Sequence, residues 1–504
     1  MLLNDDNDAT KYTMQQTGFL RNCRLSADLR GERSKMMHSK LHTDAIGLRN
    51  ALLQGVASAA PAGAAVATLT GAALFALGAL PLTALIAFFV VLLNGYIISR
   101  ISLRVSGSGG YYDYVKAGHG PASALYTGYM YIFYQIMAIA FVALSIAVFV
   151  PAAISYVFNV NISSIYMIPI LAVTLLYGFA VSVRGVKIST SYTMIMAIIE
   201  IAVIVGMGLF ILISHPQINN AAVFTLKYSS NGITGVALGV LLMYTAFAGF
   251  GASTPLGEET KKPKESISKS VIYSVIILGV FFVFSAYFFT VAFGPTNMAS
   301  YAGDLVPGIT IMGSYLGIGA AVVITVLFIN SLLTGLVVLT NATSRVLMAM
   351  GRDGLAPKTF SKTHSKRMTP YVAAGIVAVS AFLISSISAE ILGGFTAFIV
   401  AAIGATLGTL FVHIVINSAF PSINKRFSGK YGVKNIALSA VSIVIFLFIL
   451  GSTFIGISSP VVIGTGTFIV WSAVTFVFMY VKRRRLKELR SSAPSEISME
   501  TAGK

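Results

Sequence analysis

Long apolar stretches separated by short polar segments dominate this sequence. A helix that crosses a lipid bilayer needs about 20 mainly apolar residues, because lipid offers no hydrogen-bond partner to its backbone. Such stretches, bounded by charged residues, Gly or Pro, predict twelve spans, numbered in chain order. They lie near 46–72, 76–102, 121–150, 164–183, 190–213, 234–257, 271–293, 317–347, 371–389, 391–416, 435–456 and 460–481. A weakly apolar stretch at 295–320 is typical of a half-helix on the outer side.

Composition agrees with this pattern, since 56% of the 504 residues are hydrophobic and 10% are charged. Residues 1–44 are polar and contain no apolar stretch of signal-peptide length, so we expect a flexible tail without a cleavable signal. The expected organisation is an N-terminal cytoplasmic tail, a first repeat of five spans, a second repeat of five spans, two extra spans and a basic C-terminal tail. These parts cover 1–45, 46–231, 232–420, 421–481 and 482–504.

The net charge of +18 comes from Lys and Arg residues that are dispersed between the spans, which argues against a nucleic-acid partner. Short loops rich in Lys and Arg stay in the cytoplasm. When both termini are placed inside, all of the 35 basic residues except Lys227 fall on inner segments. This bias predicts a multi-pass protein of the cytoplasmic membrane with both termini in the cytoplasm, and it leaves the oligomeric state open.

Spans 1 and 6 each contain a cluster of small residues and proline. Residues 54–63 read QGVASAAPAG, and residues 247–255 read FAGFGASTP. Proline removes a backbone donor and disturbs the preceding turn of a helix. One such segment is better explained by close helix packing. Two segments that lie five spans apart predict an inverted repeat, because an odd offset reverses the orientation, and paired interruptions of this kind mark a transport site.

A broken helix exposes free amides on one side of the break and free carbonyls on the other. We expect the amides of Ala62, Gly63 and Ala64 to hold a carboxylate, and the carbonyls of Phe247 and Ala248 to face an ammonium group. Tyr134 and Gln135 of span 3 lie about 20 Å from the inner end at about 1.5 Å per residue, deep enough to line a pathway. Asn330 of span 8 is a further candidate to face the site. The expected binding set is Ser58, Ala59, Ala62, Gly63, Ala64, Phe247, Ala248, Gly249, Phe250, Gly251, Tyr134, Gln135 and Asn330. For Asn330, a polar bond between helices is an equal alternative.

Glu200 is the one acid predicted deep inside a span, roughly 15 Å from the inner end of span 5 at about 1.5 Å per residue. A carboxylate at that depth is costly unless it is paired, hydrated or protonated, so Glu200 is a candidate proton carrier. A purely structural hydrogen bond to a neighbouring helix is the equal alternative.

Glu258 and Glu259 follow span 6 at its inner end and are candidates for ion pairs with Arg345 or Lys262 that gate the inner side. A solvated helix end is the alternative reading of these two acids. His413, near the inner end of span 10, is expected to be a satisfied histidine between helices. The six histidines and one cysteine have no metal-binding spacing, so no metal is expected.

Three motifs carry a family resemblance. Residues 341–357 at the end of span 8 read NATSRVLMAMGRDGLAP, with Thr369 and Pro370 closing the next loop, residues 257–263 read GEETKKP, and residues 108–114 read SGGYYDY. Together they resemble the amino acid-polyamine-organocation (APC) superfamily over residues from about 46 to 420. The resemblance implies an all-α integral membrane protein with 12 transmembrane helices, a leucine-transporter-type 5+5 inverted repeat with helices 1 and 6 broken, and two extra helices.

The same resemblance implies alternating access and amino acids as substrates. Two departures qualify it: Gly251 stands where many relatives carry an acidic residue, which weakens the case for a cationic substrate, and the first break reads Ala60-Pro61-Ala62-Gly63 in place of a Gly-rich pattern. Glu200 falls where some sodium-independent relatives place a lysine between helices 1 and 5.

The expected function is secondary-active transport of neutral, zwitterionic amino acids, with a proton or sodium ion as the candidate coupling ion and no cofactor. Carriers of an organic amine, a nucleobase or an inorganic ion remain alternatives, as do an amino acid exchanger and a channel. A major-facilitator transporter is disfavoured because its Gly/Asp/Arg-rich loop after span 2 is absent. An integral membrane enzyme is disfavoured because the few acids are scattered, and enzymes of that kind cluster them.

Overall fold

The computed structural model describes residues 41–247, 249–452 and 459–491, and within them the chain is almost entirely helical. Span 1 is built of four pieces, of which Ala64–Thr68 is π-helical, and the other spans are single helices. In order they are Leu48–Ser58, Pro61–Gly63, Ala64–Thr68 and Leu69–Ala76 (span 1), Leu80–Ser102, Pro121–Phe158, Met167–Ser182, Val186–Ser214, Gly232–Ala246 (span 6), Pro263–Phe293, Ile318–Arg352, Tyr371–Leu392, Gly394–Ser428, Val433–Ser452 and Ser459–Val481. Shorter helices are Tyr111–His119, Met298–Gly303, Pro307–Leu316 and Arg483–Ser491.

Ten helical stretches of the described chain are long and apolar enough to cross a membrane, and the first, Leu48–Ser102, contains spans 1 and 2. A short turn at Leu77–Ala79 separates these two, and span 6 is a shorter apolar helix. Large apolar side chains such as Val173, Phe210 and Phe476 are exposed on the outside of the bundle. An exposed apolar surface of this extent is a lipid-facing one. The prediction of an all-α, multi-span membrane protein is confirmed.

Several helices differ in length from the apolar stretches that predicted them. Span 3 continues to Phe158 with Pro151 inside it, and span 10 continues to Ser428 with Pro421 inside it. The inner part of span 6, expected to reach residue 257, is a run of turns followed by a 3₁₀ helix at Thr254–Glu259. The apolar pattern locates the part of each helix inside the membrane core. A helix can continue beyond that core, because polar residues there pack against the protein or reach water. The stretch at 295–320, for which one half-helix was predicted, forms two short helices between spans 7 and 8.

Spans 1 and 6 lie antiparallel. Before span 1, the Ile46 amide donates to the carbonyl of Glu259 (3.0 Å) and the Lys261 amide donates to the carbonyl of Ile46 (2.8 Å). At the other end, the side-chain amide of Asn231, which precedes span 6, donates to the carbonyl of Phe75 at the end of span 1 (3.1 Å). The start of each span therefore meets the end of the other, which is the inverted-repeat arrangement.

Two groups of helices surround these spans. Span 3 packs most extensively against spans 8 and 10, while span 7 packs against spans 1 and 2. Serine hydroxyls join spans 1, 2 and 7. Ser274 donates to the carbonyl of Leu52 (2.9 Å), and the hydroxyls of Ser99 and Ser268 lie 2.8 Å apart. Small polar residues of this kind let membrane helices approach closely and bond across the interface. We call the side of the protein that holds Lys116 and Arg352 the basic face.

Candidate functional site

The first break lies at Ala59 and Ala60. Helix Leu48–Ser58 ends there because Ala60 takes a left-handed conformation (φ +45°) and Pro61, which follows, has no amide hydrogen. Two of the expected anion-binding amides are engaged within the chain. The Ala64 amide donates to the carbonyl of Ala60 (2.7 Å), and the Ala62 amide donates to the carboxylate of Glu200 (3.4 Å). The chain's own carboxylate thus occupies the amide of Ala62.

The second break is a series of tight turns from Phe247 to Ser253. The amides of Phe250 and Ala252 donate to the carbonyls three residues earlier, at Phe247 (3.1 Å) and Gly249 (2.7 Å). Gly249 has φ +103°, a conformation that side chains disfavour, and a Cβ there would overlap the side chain of Ser58. The Ser58 hydroxyl lies 2.5 Å from the Gly249 carbonyl and 2.7 Å from that of Gly55. The two breaks therefore touch, and Ser58 joins them.

A central cavity lies on the side of this contact away from the basic face. Spans 1, 3, 6 and 8 line it, and its volume is about 30 Å³, room for about one water molecule. Its wall consists of Ser58, Ala59, Ala60, Gly63, Ala64, Ala67, Thr68, Ala138, Phe141, Val142, Ser145, Thr245, Ala246, Leu332 and Leu339. None of these side chains is charged, and most are apolar, so the wall offers no ion-pair partner to a charged group.

A second, inner cavity lies on the other side of the contact, toward the basic face. It is lined by Tyr111, Tyr131, Tyr134, Gln135, Gly249, Phe250, Gly251, Ala252, Thr409 and His413. The Tyr111 hydroxyl sits against Gly251, and a Cβ at that position would overlap it. The space that an acidic side chain would need at position 251 is therefore filled by a tyrosine.

The expected binding residues divide between these two cavities. Ser58, Ala59, Gly63 and Ala64 line the central cavity, and Tyr134, Gln135, Gly249, Phe250 and Gly251 line the inner one. Three others line neither: the Ala62 amide bonds Glu200, Phe247 packs edge-on against Phe282, and Asn330 bonds Glu200. Ala248 lies outside the described residues.

Sequence reasoning missed the part of span 3 that lines the central cavity. Ala138, Phe141, Val142 and Ser145 lie there, at steps of three and four residues beyond Tyr134. Residues at this spacing share one face of a helix. Following the face of Tyr134 along the helix would have identified them.

Glu200 ties three spans together. Its side chain is fully buried on span 5, where it accepts hydrogen bonds from Ser331 (2.6 Å) and Asn330 (3.0 Å) of span 8, in addition to the amide of Ala62 in span 1. The hydroxyl of Tyr192 in turn donates to the Asn330 side-chain carbonyl. The buried Glu200 carboxylate thus bonds both the first break and span 8. A change in its charge would therefore change how the first break is held.

An inner ion-pair layer closes the basic face. Glu259 forms a two-pronged ion pair with Arg345, both side chains being 1% exposed, and Arg345 also donates to the carbonyl of Asn341 (2.8 Å). Glu258 pairs with Arg352 (2.8 and 2.9 Å), a partner that the sequence reasoning had not named.

The remaining pair of the layer is Lys116 with Asp353 (2.5 Å), to which the Tyr112 hydroxyl also donates. This third pair joins the loop helix Tyr111–His119 to the end of span 8. Together the three ion pairs connect spans 6 and 8 with the loop that follows span 2, and they lie between the inner cavity and the basic face.

Asp113 stands beside this layer, in the loop helix Tyr111–His119. Burial raises the pKa of Asp113 to about 6, although the hydrogen bond from the Gly109 amide (2.9 Å) and the charge of Lys116 lower it. The nearby carboxylates of Asp353 and Glu258 raise this pKa further. The carboxyl group of Asp113 therefore loses its proton near pH 6, above the ordinary range of an aspartate.

Inverted repeats that meet at two broken helices, with a cavity at the break, define a secondary-transporter fold. The family model for amino acid permeases matches residues 50–483, so the chain belongs to the amino acid permease family of the APC superfamily. The family resemblance predicted from the motifs is thereby confirmed. In the described residues no group of three His, Cys, Asp or Glu side chains is arranged to hold a metal ion.

Three curated relatives illustrate the family. The branched-chain amino acid permease BcaP of Bacillus subtilis is 30% identical over 208 residues, 40% of this chain and 42% of the relative. The methylthioribose transporter of the same organism is 26% identical over 59% of this chain and 67% of the relative. The low-affinity putrescine importer PlaP of Escherichia coli is 23% identical over 69% of this chain and 75% of the relative. The match to BcaP thus spans less than half of that protein's length.

Proposed function

We propose that this protein carries neutral amino acids with apolar side chains across the cytoplasmic membrane by alternating access. The observation that supports this most directly is the central cavity, which is walled by uncharged side chains at the contact of the two breaks. An amino acid zwitterion has no net charge, so backbone dipoles at the breaks suffice to hold its two ends. Apolar walls that include Phe141, Val142, Leu332 and Leu339 suit a branched aliphatic side chain.

The family places the chain among transporters, which argues against an enzyme. The name of the relative BcaP supports a branched-chain substrate. We take leucine as the test substrate for this reason. The inner ion-pair layer is the gate that must open when the site faces the basic side, and the predicted loop charges make that side the cytoplasmic one, with both termini there.

Glu200 is the proposed coupling residue. All three of its hydrogen bonds are accepted by the carboxylate, so protonation costs at least one of them and loosens the first break from span 8. In this scheme the charged form holds the half-helix after Pro61 in place, and the proton releases it. Proton binding and the conformational step are then linked through a single carboxyl group.

The test is leucine uptake into proteoliposomes with and without an inward proton gradient, and with and without sodium. Stimulation by the proton gradient in the absence of sodium supports the proposal. Competition by unlabelled branched-chain amino acids, and not by lysine or putrescine, supports a neutral substrate. No competition by any amino acid would overturn the substrate assignment.

A second candidate substrate is an organic cation, because the relative PlaP is named as a putrescine importer. A divalent amine needs carboxylates at its two ends. The two cavities offer none, since Gly251 stands against the Tyr111 hydroxyl and Glu200 is engaged by three donors. The neutral amino acid is therefore the favoured substrate.

A further inference from the structure

His413 has one ring nitrogen that is satisfied and one that is not. The hydroxyl of Tyr244 lies 2.6 Å from His413 Nδ1, and the side-chain amide nitrogen of Asn94 lies 3.3 Å from the same hydroxyl. All three side chains are buried, with His413 2% exposed. His413 Nε2 is buried as well and has no hydrogen-bond partner. The expectation of a fully satisfied histidine is thus met on one side of the ring only.

The hydrogen bonds define which nitrogen carries the proton. The Asn94 amide nitrogen can only donate, so the Tyr244 oxygen accepts a hydrogen bond from it. The Tyr244 O–H then donates a hydrogen bond to the ring. His413 Nδ1 is then the acceptor, and a neutral imidazole with an acceptor at Nδ1 carries its hydrogen on Nε2. The unpartnered atom is therefore an N–H donor, and a buried donor without a partner is costly.

The histidine that carries this donor belongs to the wall of the inner cavity, whereas Tyr244 and Asn94, which hold its other ring nitrogen, do not. The Ser58–Gly249 contact separates it from the central cavity, and the inner ion-pair layer separates it from the basic face. A solute that leaves the central cavity toward the basic face must pass through this space.

We propose that the inner cavity is a second substrate subsite, in which His413 Nε2 donates a hydrogen bond to the substrate's carboxylate before release at the basic face. The inference rests on the proposed function. The rings of Tyr111, Tyr131 and Tyr134 line the same cavity, and aromatic faces attract the ammonium group at the other end of the zwitterion. Asn94 and Tyr244 act as positioning residues, because they fix the tautomer of His413.

The experiment measures the KM for leucine separately from each face, in right-side-out and inverted membrane vesicles. His413→Phe keeps a ring but removes the donor, and His413→Gln keeps an N–H donor. Thr325→Val is the matched control, since this buried hydroxyl lines neither cavity and is bonded to the carbonyl of Ala321 (2.8 Å). His413→Phe is expected to raise the KM from the basic face on the order of tenfold, the loss of one bond to a charged group. The KM from the opposite face is expected to change much less, and His413→Gln and Thr325→Val to stay near wild type.

The carboxylate itself is tested with 3-methylbutylamine, which is leucine without its carboxylate. Its inhibition of transport from the basic face is expected to be the same in wild type and His413→Phe. The subsite is overturned if His413→Phe weakens inhibition by this amine as much as it weakens leucine transport, or if it raises the KM equally on both faces. An unchanged KM in His413→Phe, or an effect of Thr325→Val as large as that of His413→Phe, would also overturn it.

Failure of the proposed function is recognised independently, as absence of leucine transport by the wild type. The subsite is then tested by binding of acetate to purified protein, followed by the fluorescence of the single tryptophan, Trp471. This ring stacks on Phe133 and donates to the Tyr129 carbonyl (3.0 Å), so it reports on span 3 next to Tyr134. A fluorescence response that is lost in His413→Phe supports a carboxylate subsite, and a response that is equal in both proteins contradicts it.

Discussion

Replacing Glu200 by glutamine is expected to remove the proton dependence of leucine uptake while the protein stays folded. Glutamine has nearly the shape of a protonated glutamic acid and lacks the negative charge. Its side-chain carbonyl can still accept one bond from Ser331 or Asn330 of span 8. Its amide group meets the remaining donors, so at least one of the three hydrogen bonds to the carboxylate is lost.

The magnitude follows from the two short bonds. Hydrogen bonds to a charged group contribute about 1.5–3 kcal/mol and neutral ones about 0.5–1.5 kcal/mol, so each bond loses roughly 1 kcal/mol when the charge is removed. Ser331 at 2.6 Å and Asn330 at 3.0 Å then account for about 2 kcal/mol together, while the Ala62 amide at 3.4 Å adds little. A change of about 2 kcal/mol shifts an equilibrium between two conformations roughly 30-fold. Glu200→Gln is expected to favour the conformation in which span 5 is released from span 8, the helix that packs against the first break.

The assay compares net uptake with exchange in proteoliposomes at a series of external pH values. Net uptake driven by a proton gradient is expected to fall to the level without a gradient, because no proton can be carried. Exchange of internal for external leucine is expected to continue, since it needs no proton movement. Glu390→Gln is the matched control, because Glu390 is an exposed acid near the end of span 9. This variant is expected to behave as wild type.

The reasoning is refuted if Glu200→Gln keeps the wild-type response to the proton gradient. It is also refuted if Glu390→Gln loses that response to the same extent. Loss of both uptake and exchange, with an unchanged unfolding temperature in detergent, would assign Glu200 to the architecture of the first break and not to coupling.

Three further changes test other parts of the structure. Gly249→Leu is expected to abolish leucine uptake, because the glycine has φ +103° and no room for a Cβ, whereas Gly206→Ala, with open space around it, is expected to keep near-normal uptake. Arg345→Ala leaves Glu259 buried without its partner and is expected to lower stability by about 3–5 kcal/mol, measured by thermal unfolding, with partial recovery when Glu259→Ala is added. Because the pKa of Asp113 is raised, the folded protein holds this proton more tightly than the unfolded protein does. The proton therefore contributes folding stability that is fully present below pH 3.8 and is lost as the pH rises through about 6. Asp113→Asn is expected to remove that decline in the unfolding temperature, and a decline equal to that of wild type would contradict the role of Asp113.

The overall architecture could be predicted because it depends on the pattern of apolar and small residues along the chain. Lipid requires long apolar helices, and two Pro-containing clusters of small residues, five spans apart, are enough to locate the breaks. The pairing of Glu259 with Arg345 could also be predicted, because both residues lie at the inner ends of apolar stretches on the same side.

Contacts between helices across the bundle were harder to predict from the sequence. The pairing of Glu258 with Arg352 and the use of the Ala62 amide by Glu200 both depend on how spans 5, 6 and 8 rotate about their axes. A sequence fixes which face of a helix is polar, but the partner of that face depends on packing of the whole bundle. Phe141, by contrast, could have been predicted, because it shares a helix face with Tyr134.

The stretch from Ile46 to Ser58 is fastened to the stretch from Gly249 to Lys261 at both of its ends, by backbone pairing at Ile46 and by the hydroxyl of Ser58. Because the two stretches are joined at two points, we expect them to move as one unit, so that the inner parts of spans 1 and 6 are displaced together and not one after the other.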